Sequence, residues 1–266
     1  MAFQKVNISS FARFNSGVSS ELLNLYEQFA LQDLQKRNSE PSSKTFAPSS
    51  FRCSRRSWFR LRGTEPDSVR QSDRALDFTA MVGTACHSTI QSLLISLSNN
   101  MDPSIFEWVP LDKYLESHPI PYDYTIQVNG YETQFEIKHP YPIKFACDGI
   151  IRYKGKYYLL EIKTCELSSF QKLTSPKPHH LDQVKCYCTL LKLQDVWMIY
   201  QERQFGGIKS FTHYVSLLDM DNTLAQFDYV MDCVASNIAP RCLPSGDPFC
   251  NGCPYATKCS QWGRFT

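Results

Sequence analysis

The sequence predicts an α/β fold in which a central mixed sheet is flanked by helices. Segments with apolar residues at helical spacing alternate with segments rich in aromatic and β-branched residues, in the order helix, meander, helix, strand pair, helix. That order is typical of a sheet covered by helices. The chain has 266 residues, of which 42% are hydrophobic, so it is long enough to bury a sizeable core without disulfide bonds.

Four segments carry the helical pattern. They are residues 19–37, residues 73–97 with His87 and Gln91 one turn apart, residues 179–193 and residues 221–239. Residues 38–50 are polar and punctuated by two prolines, which predicts a loop. We therefore divide the chain into an N-terminal helix and linker, residues 1–50, and a main domain, residues 51–266.

The predicted strands lie between these helices. Residues 124–163 alternate aromatic and β-branched residues with polar ones, which predicts an antiparallel meander. Residues 196–203 and 210–217 predict two further strands. If Lys154 and Gly155 form the two-residue turn of a hairpin, the residues that face each other across it have numbers that add to 309.

Three charged residues fall where this hairpin would be buried. In the register set by the turn, Asp148 and Glu161 lie directly opposite each other, with their β-carbons about 5 Å apart. Lys163 lies on the same face because side chains alternate along a strand. Two carboxylates this close repel each other, and a divalent cation such as Mg²⁺ or Mn²⁺ compensates both. In this arrangement the backbone carbonyl of Ile162 supplies a further oxygen ligand.

A simpler interpretation of the same residues stands beside this one. Asp148 would end a turn, and Glu161 would pair with Lys163 on a solvated strand. A Glu-x-Lys sequence alone is common, but here it is joined to an opposed aspartate at the end of an aromatic hairpin. We therefore favour the metal site.

The overall charge does not identify a partner, whereas one local segment does suggest it. The formal net charge is +2, which is too small to indicate nucleic acid. The segment FRCSRRSWFRLRG, residues 51–63, interleaves arginines with Trp58 and Phe59. It is either a solvated surface helix or a patch that follows DNA phosphates. The arginines predicted to contact DNA are Arg52, Arg55, Arg56 and Arg60.

The cysteines favour metal binding over disulfides. The chain has eleven cysteines, an odd number that excludes a fully paired disulfide framework. The N-terminal residues lack the apolar stretch of a secretory signal, and no run approaches the length of a membrane-spanning helix. We therefore predict a soluble, cytoplasmic protein in a reducing compartment, where clustered cysteines indicate metal.

Three cysteines are clustered near the C-terminal end. Cys250, Cys253 and Cys259 form a C-x2-C-x5-C run, and three such thiolates usually need a fourth ligand to close a metal site. Cys53 and Cys242 are the candidates for the fourth position. Zinc suits four cysteines as well as iron does.

The chain resembles the RecB-like branch of the PD-(D/E)XK nuclease superfamily. The matching residues are His87, Asp148, Glu161, Lys163, Gln183 and Tyr187. The matching residues occur in the family's order, and the resemblance covers roughly residues 45–262. It implies a restriction-endonuclease-like core. It also implies that His87, Asp148 and Glu161 are metal ligands, with Lys163 as the catalytic lysine and with Gln183 and Tyr187 positioning the site or the DNA strand. One departure is Cys147, which stands where the family usually has a glycine before the aspartate.

The cysteine layout resembles the iron–sulfur subgroup of these nucleases, which includes the CRISPR adaptation exonuclease and related phage exonucleases. That resemblance favours Cys53 as the fourth ligand beside Cys250, Cys253 and Cys259, and it implies a [4Fe-4S] cluster. A cluster held this way would join the two ends of the main domain.

The resemblance implies a Mg²⁺- or Mn²⁺-dependent DNA exonuclease acting on single strands or DNA ends in recombination, replication or CRISPR adaptation. An alternative is a clamp that binds DNA ends, or a nuclease subunit activated by a partner such as a CRISPR integrase, helicase or recombinase. The resemblance places the protein in the cytoplasm of a prokaryotic or phage-infected cell, without a membrane partner, and it admits a homo-oligomer.

Overall fold

The structure is a computed structural model that describes residues 18–39, 44–67, 74–129 and 132–262. The chain divides into two units, one made of residues 1–41 and 68–78 and the other of residues 42–67 and 79–266. Within the first unit the predicted N-terminal helix is present. Three of its apolar side chains, Leu22, Tyr26 and Phe29, are exposed.

The helices and strands of the described residues follow the predicted order, with additions. The helices are α1 (Val18–Ser39), α2 (Ser54–Leu61), α3 (Arg74–Asn100), α4 (Leu111–Ser117), α5 (Leu167–Lys172), α6 (Pro178–Leu191), α7 (Leu217–Ala235) and α8 (Ala256–Gln261). The strands are β1 (Phe106–Val109), β2 (Asp123–Asn129), β3 (Glu132–His139), β4 (Ile143–Cys147), β5 (Gly149–Tyr153), β6 (Lys156–Cys165), β7 (Asp195–Glu202) and β8 (Ile208–Tyr214).

The predicted α/β class with a mixed sheet is confirmed. Five strands form one sheet in the order β1-β5-β6-β7-β8. The pair β6–β7 is parallel and the other pairs are antiparallel. A parallel pair needs a crossover, and the chain from β6 to β7 supplies it through α5 and α6.

The predicted meander splits into two sheets at Asp148. Strands β2, β3 and β4 form a separate antiparallel sheet that ends at Cys147, and β5 begins at Gly149 in the larger sheet. The close approach of β1 requires this glycine, since a β-carbon at Gly149 would lie 2.4 Å from Trp108.

Replacing Gly149 with alanine tests that close approach. We expect Gly149→Ala to destabilise the fold by about 1–3 kcal/mol, because the new methyl group must displace a packed indole. Gly83→Ala is the matched control, since a β-carbon there would lie 3.5 Å from Thr164 Oγ1, an ordinary contact. Urea denaturation of both variants measures the difference. Equal stability of the two variants would contradict the packing argument.

The β5–β6 hairpin has the register predicted from its turn. Lys154 and Gly155 both have positive φ, 49° and 80°, as a type I′ turn requires. Gly149 pairs with Leu160, and these residue numbers add to 309. Asp148 therefore enters the hairpin opposite Glu161.

Two apolar clusters lie on opposite faces of β6. Leu159 belongs to the main core, which also includes residues of α2, α4, α6 and α7. Leu160 and Ile162 pack with Ile90 of α3 and Ile199 of β7 in a smaller cluster. Because strand side chains alternate, Glu161 shares the face of Leu159 and points toward the main core.

Helix α7 begins four residues earlier than its sequence pattern suggested. Ser216 caps it, since its hydroxyl accepts a hydrogen bond from the Asp219 backbone N–H while the Asp219 carboxylate accepts one from the Ser216 backbone N–H. This capping box fixes the helix start. Strand β1 and helices α4 and α5 were not predicted, because each is too short to show a period.

Helix α3 corrects one expectation from the sequence. Residues Asp77–Asn100 have a mean hydropathy of 1.2 and are long and apolar enough, by length and composition alone, to cross a membrane. The statement that no segment approaches that length was therefore wrong. A single such helix is weak support for a membrane span, and His87 and Gln91 of α3 hydrogen-bond to Asp148. The α/β architecture is compatible with a soluble protein.

Candidate active site and cysteine cavity

The predicted acidic site lies where β4 passes into β5. Asp148 occupies the junction, Glu161 and Lys163 lie on β6, and α3 and α6 contribute from two sides. Asp148 lies between the end of β4 in the smaller sheet and the start of β5 in the larger sheet, and its side chain is 14% exposed. Residues distant in sequence thus meet because the hairpin register and the crossover helix α6 bring them together.

Both carboxylate oxygens of Asp148 are held. One oxygen accepts a hydrogen bond from the Ile162 backbone N–H at 2.7 Å, and the other lies 3.0 Å from Nδ1 of His87. The backbone carbonyl of Asp148 accepts a bond from Nε2 of Gln91 at 2.7 Å. The loop before β5 is therefore fixed from α3 and from β6.

Gln91 was noted in the sequence only as a neighbour of His87. Its side chain is fully buried, and its bond to the Asp148 carbonyl orients the residue that carries the carboxylate. The spacing of four residues from His87 was the available signal, because residues at i and i+4 share a helix face. His87 and Gln91 thus approach the same loop.

Glu161 and Lys163 form the second half of the site. Glu161 is 2% exposed, and its carboxylate pairs with the Lys163 ammonium group. Lys163 also donates to the side-chain oxygen Oε1 of Gln183 at 3.0 Å, and the side-chain nitrogen Nε2 of Gln183 donates to the Tyr187 hydroxyl at 2.6 Å. The Tyr187 ring stacks on Phe145, with ring centroids 4.6 Å apart. A chain of contacts therefore runs from the core through Tyr187 and Gln183 to Lys163.

Burial and close charged partners shift the pKa values of two residues of the site. Burial raises the pKa of Glu161 to about 7, with Asp148 adding to the rise and Lys163 opposing it. Burial lowers the pKa of His87, but the hydrogen bond and charge of Asp148 outweigh it, so the net shift is upward. Two carboxylates in one buried place hold their charges only with a positive neighbour.

The residue types at the site fit a hard divalent cation, which prefers oxygen ligands and accepts imidazole. Within residues 18–39, 44–67, 74–129 and 132–262, however, no three His, Cys, Asp and Glu side chains form a ready group for a metal ion. The Glu161 carboxylate pairs with Lys163. The Asp148 carboxylate contacts His87 and accepts a hydrogen bond from the Ile162 N–H. Metal binding would therefore exchange these internal pairs for metal–ligand bonds.

The arginine-rich segment forms α2, but it is buried more deeply than expected. Trp58 and Phe59 are 1% and 2% exposed, and the Trp58 indole N–H donates to the Cys233 carbonyl. They are core residues, so their rings are not accessible for stacking on DNA bases. Arg62 is exposed and lies over the Trp58 ring.

Three of the four arginines predicted to bind DNA remain accessible. Arg52 forms ion pairs with Asp182 and Asp247, Arg56 lies 5.4 Å from the Phe249 ring centroid, and Arg60 donates to the Thr45 carbonyl. All three are half-buried. Arg55 is instead fully buried, so its side chain does not face the solvent in which a DNA phosphate would approach.

All four predicted cluster cysteines line one cavity. Its volume is about 280 Å³, and its walls include Cys53, Cys242, Cys250, Cys253 and Cys259. Burial raises the pKa of Cys53, against which the backbone N–H groups of Arg56 and Leu243 act by hydrogen bonding to its sulfur. The five thiols have the donor chemistry of an iron–sulfur or zinc site, although within the described residues they do not form a ready group for a metal ion, and Cys242 remains a competitor of Cys53.

The protein itself holds the two ends of this cavity together. The Phe59 and Tyr255 rings stack with centroids 5.1 Å apart, and the Asp67 carboxylate accepts bonds from the Thr257 and Lys258 N–H groups at the start of α8. The cysteine-bearing segment therefore has contacts with α2 and its following turn that do not depend on a metal.

Comparison with known proteins identifies the fold only. The crystal structure of SSO0001 matches with a TM-score of 0.52 and 16% sequence identity, covering 91% of this chain and 98% of that one. An identity this low shows a shared fold and nothing about activity. No family model and no curated protein matches the sequence. Membership of the nuclease family therefore stays a hypothesis based on the residues described above.

Proposed function

We propose that the protein is a metal-dependent DNA nuclease of the RecB-like PD-(D/E)XK type, acting as an exonuclease. One observation supports this most strongly. The residues selected by their order in the sequence form two contact groups in the structure, His87–Asp148 and Glu161–Lys163–Gln183–Tyr187, and the Ile162 backbone N–H on β6 joins the two by donating to Asp148. Residues chosen from a chance motif would have no reason to share contacts across α3, the β4–β5 junction, β6 and α6.

The proposed cation site consists of His87, Asp148 and Glu161, with the Ile162 carbonyl as a further ligand. A bound Mg²⁺ or Mn²⁺ would supply Lewis-acid polarisation of the scissile phosphate and a more acidic water. With Glu161 as a ligand of the cation, the Lys163 ammonium group would be available to contact the phosphate or to orient the attacking water. Gln183 holds Lys163 in reach during this exchange, and Tyr187 holds Gln183.

The proposed DNA contacts are modest. Half-buried Arg52, Arg56 and Arg60 offer positive charge to the phosphates, and such contacts weaken steeply as salt rises. For the cysteine cavity we propose a [4Fe-4S] cluster held by Cys53, Cys250, Cys253 and Cys259. These four cysteines line one cavity of about 280 Å³, and thiolates are the ligands that such a cluster requires.

A second candidate function is a DNA-end clamp or a nuclease subunit that a partner activates. The observation that favours it is that the charged residues of the site already pair with each other, Lys163 with Glu161 and His87 with Asp148. A partner that shifted α3 would release the His87–Asp148 pair, and one that shifted α6 would release Lys163 from Gln183. A CRISPR integrase, helicase or recombinase would have that role.

A cleavage assay tests the proposed function. Anaerobically purified protein is incubated with end-labelled single- and double-stranded DNA, with Mg²⁺, Mn²⁺ or a chelator. We expect metal-dependent cleavage that is absent in Glu161→Ala and retained in Glu116→Ala, the matched control from an exposed Lys–Glu pair on α4. The product ladder gives the polarity. DNA binding without cleavage under every metal condition would reject the stand-alone nuclease in favour of the clamp or partner-activated subunit.

A further inference from the structure

Arg55 is a buried cation that lines the cysteine cavity. It lies on α2 two residues after Cys53, and its side chain is 0% exposed. Burying a guanidinium group is unfavourable unless hydrogen bonds and negative charge compensate for its lost hydration. The burial of Arg55 therefore requires partners that compensate for the lost hydration of its guanidinium group.

The contacts of Arg55 reach the segment that carries the cysteines. Its Nε donates to the Pro240 carbonyl at 2.7 Å, and its Nη1 lies 3.5 Å from the Cys259 carbonyl and 3.8 Å from the Cys259 sulfur. The side chain also lines the cavity that the five cysteines share. One planar group thus touches both ends of residues 240–259.

We propose that Arg55 is a positioning residue of the cysteine cavity, which holds Cys259 by its carbonyl and its sulfur and sets a positive charge beside a bound iron–sulfur cluster. This inference rests on the cofactor part of the proposed function. It also reassigns an arginine that the sequence had suggested for DNA phosphates. The fork of the guanidinium group suits this role, because it donates in several fixed directions at once.

The charge has a consequence for redox behaviour. Hydrogen bonds to ligand sulfurs and nearby charge help to set the potential of such clusters. A cluster gains negative charge when it is reduced, so a neighbouring cation stabilises the reduced form more than the oxidised form. Removing the Arg55 charge should therefore shift the midpoint potential to more negative values.

Lysine and methionine separate charge from geometry. Arg55→Met removes both the charge and the hydrogen bonds while keeping an unbranched side chain. Arg55→Lys keeps the charge but cannot reproduce the fork that reaches Pro240 and Cys259 together. Arg62→Met is the matched control, because Arg62 directly follows the same helix, is exposed and does not line the cavity.

The test uses the full chain, reconstituted anaerobically with iron and sulfide. The measurements are iron content, midpoint potential by redox titration and the rate of cluster loss to a chelator. We expect Arg55→Met to have a more negative potential and about tenfold faster cluster loss, as for other residues that support metal ligands. Arg55→Lys should keep most of the potential while losing the cluster faster. Arg62→Met should keep the wild-type potential and rate of cluster loss.

Each outcome decides between the claims. A wild-type potential and release rate in Arg55→Met would overturn the role of Arg55 while leaving the cluster in place. If Arg55→Met does not fold, Arg55→Lys decides, and a wild-type release rate in that variant overturns the inference. A wild-type protein that takes up no iron–sulfur cluster would overturn the cofactor proposal itself, and the Arg55 role with it.

Discussion

Replacing Lys163 with methionine is expected to lower the rate of DNA cleavage by about 10²–10³-fold, the usual effect of removing one electrostatic group from a reacting centre. Lys163 is the basic residue that contacts both the buried Glu161 and Gln183. Methionine has a similar length and no charge, so the packing around β6 is kept. Single-turnover cleavage of end-labelled DNA measures the effect on the chemical step.

A matched lysine serves as the control for this prediction. Lys113 pairs with Glu116 on the exposed face of α4, where both side chains are more than 60% exposed. Lys113→Met removes the same charge at a distance from the site, and its cleavage rate should equal that of wild type. Circular dichroism and thermal unfolding check that Lys163→Met is folded. Unchanged cleavage in a folded Lys163→Met would exclude Lys163 from the chemistry.

Gln183 offers a graded version of the same experiment. It does not reach the phosphate in the proposed mechanism but holds Lys163 through its carbonyl oxygen. Gln183→Ala should therefore reduce the rate less than Lys163→Met does. Because Gln183 acts through Lys163, adding Gln183→Ala to Lys163→Met should cause little further loss, as expected for residues that act as one unit.

The local geometry of the hairpin could be predicted from the sequence because its determinants are local. Lys154 and Gly155 select a two-residue turn, and the turn fixes the register up to Asp148 and Glu161. The break at Asp148 was not predicted. Residues 124–163 show one continuous strand pattern, whereas the division into two sheets depends on Trp108 of β1 packing against Gly149. Strand β1 has four residues, too few to show a period.

The burial of Arg55 and Trp58 was beyond sequence reasoning for a different reason. Their partners are distant in the chain, with Pro240 lying 185 residues from Arg55 and Cys233 lying 175 residues from Trp58. A run of arginines and aromatics has the same appearance whether it lies on the surface or packs under a C-terminal segment. Only the tertiary fold distinguishes the two.

The cysteine cavity gives the second large expected effect. Cys253→Ser should reduce the iron content of anaerobically purified protein from about four atoms per chain to nearly none, because a [4Fe-4S] cluster requires its thiolate ligands. The same loss is expected for Cys53→Ser. Cys242→Ser is the matched control from the same cavity wall, and it should retain iron if Cys53 is the fourth ligand. Retention in Cys53→Ser with loss in Cys242→Ser would reverse the assignment.

The stability of the cluster-free variant follows from the loop that the cluster closes. Joining Cys53 to the C-terminal cysteines closes a loop of nearly two hundred residues, and a covalent link of that size contributes about 5 kcal/mol in the chain-entropy account. Its loss would lower Tm by about 10 °C for a chain of this length. Metal binding is in this way part of the folding free energy.

The contacts that need no metal set a limit on this effect. Phe59 stacks on Tyr255, and Asp67 caps the start of α8. These contacts hold part of the segment when the cluster is lost, so Cys253→Ser should unfold at a lower temperature but remain folded at 25 °C. Combining Cys253→Ser with Asp67→Ala should lower Tm by more than the sum of the two single variants. In each single variant either the cluster or the Asp67 contacts still hold the segment, whereas the double variant loses both. Strictly additive changes in Tm would show that the cluster and the Asp67 contacts stabilise different parts of the domain.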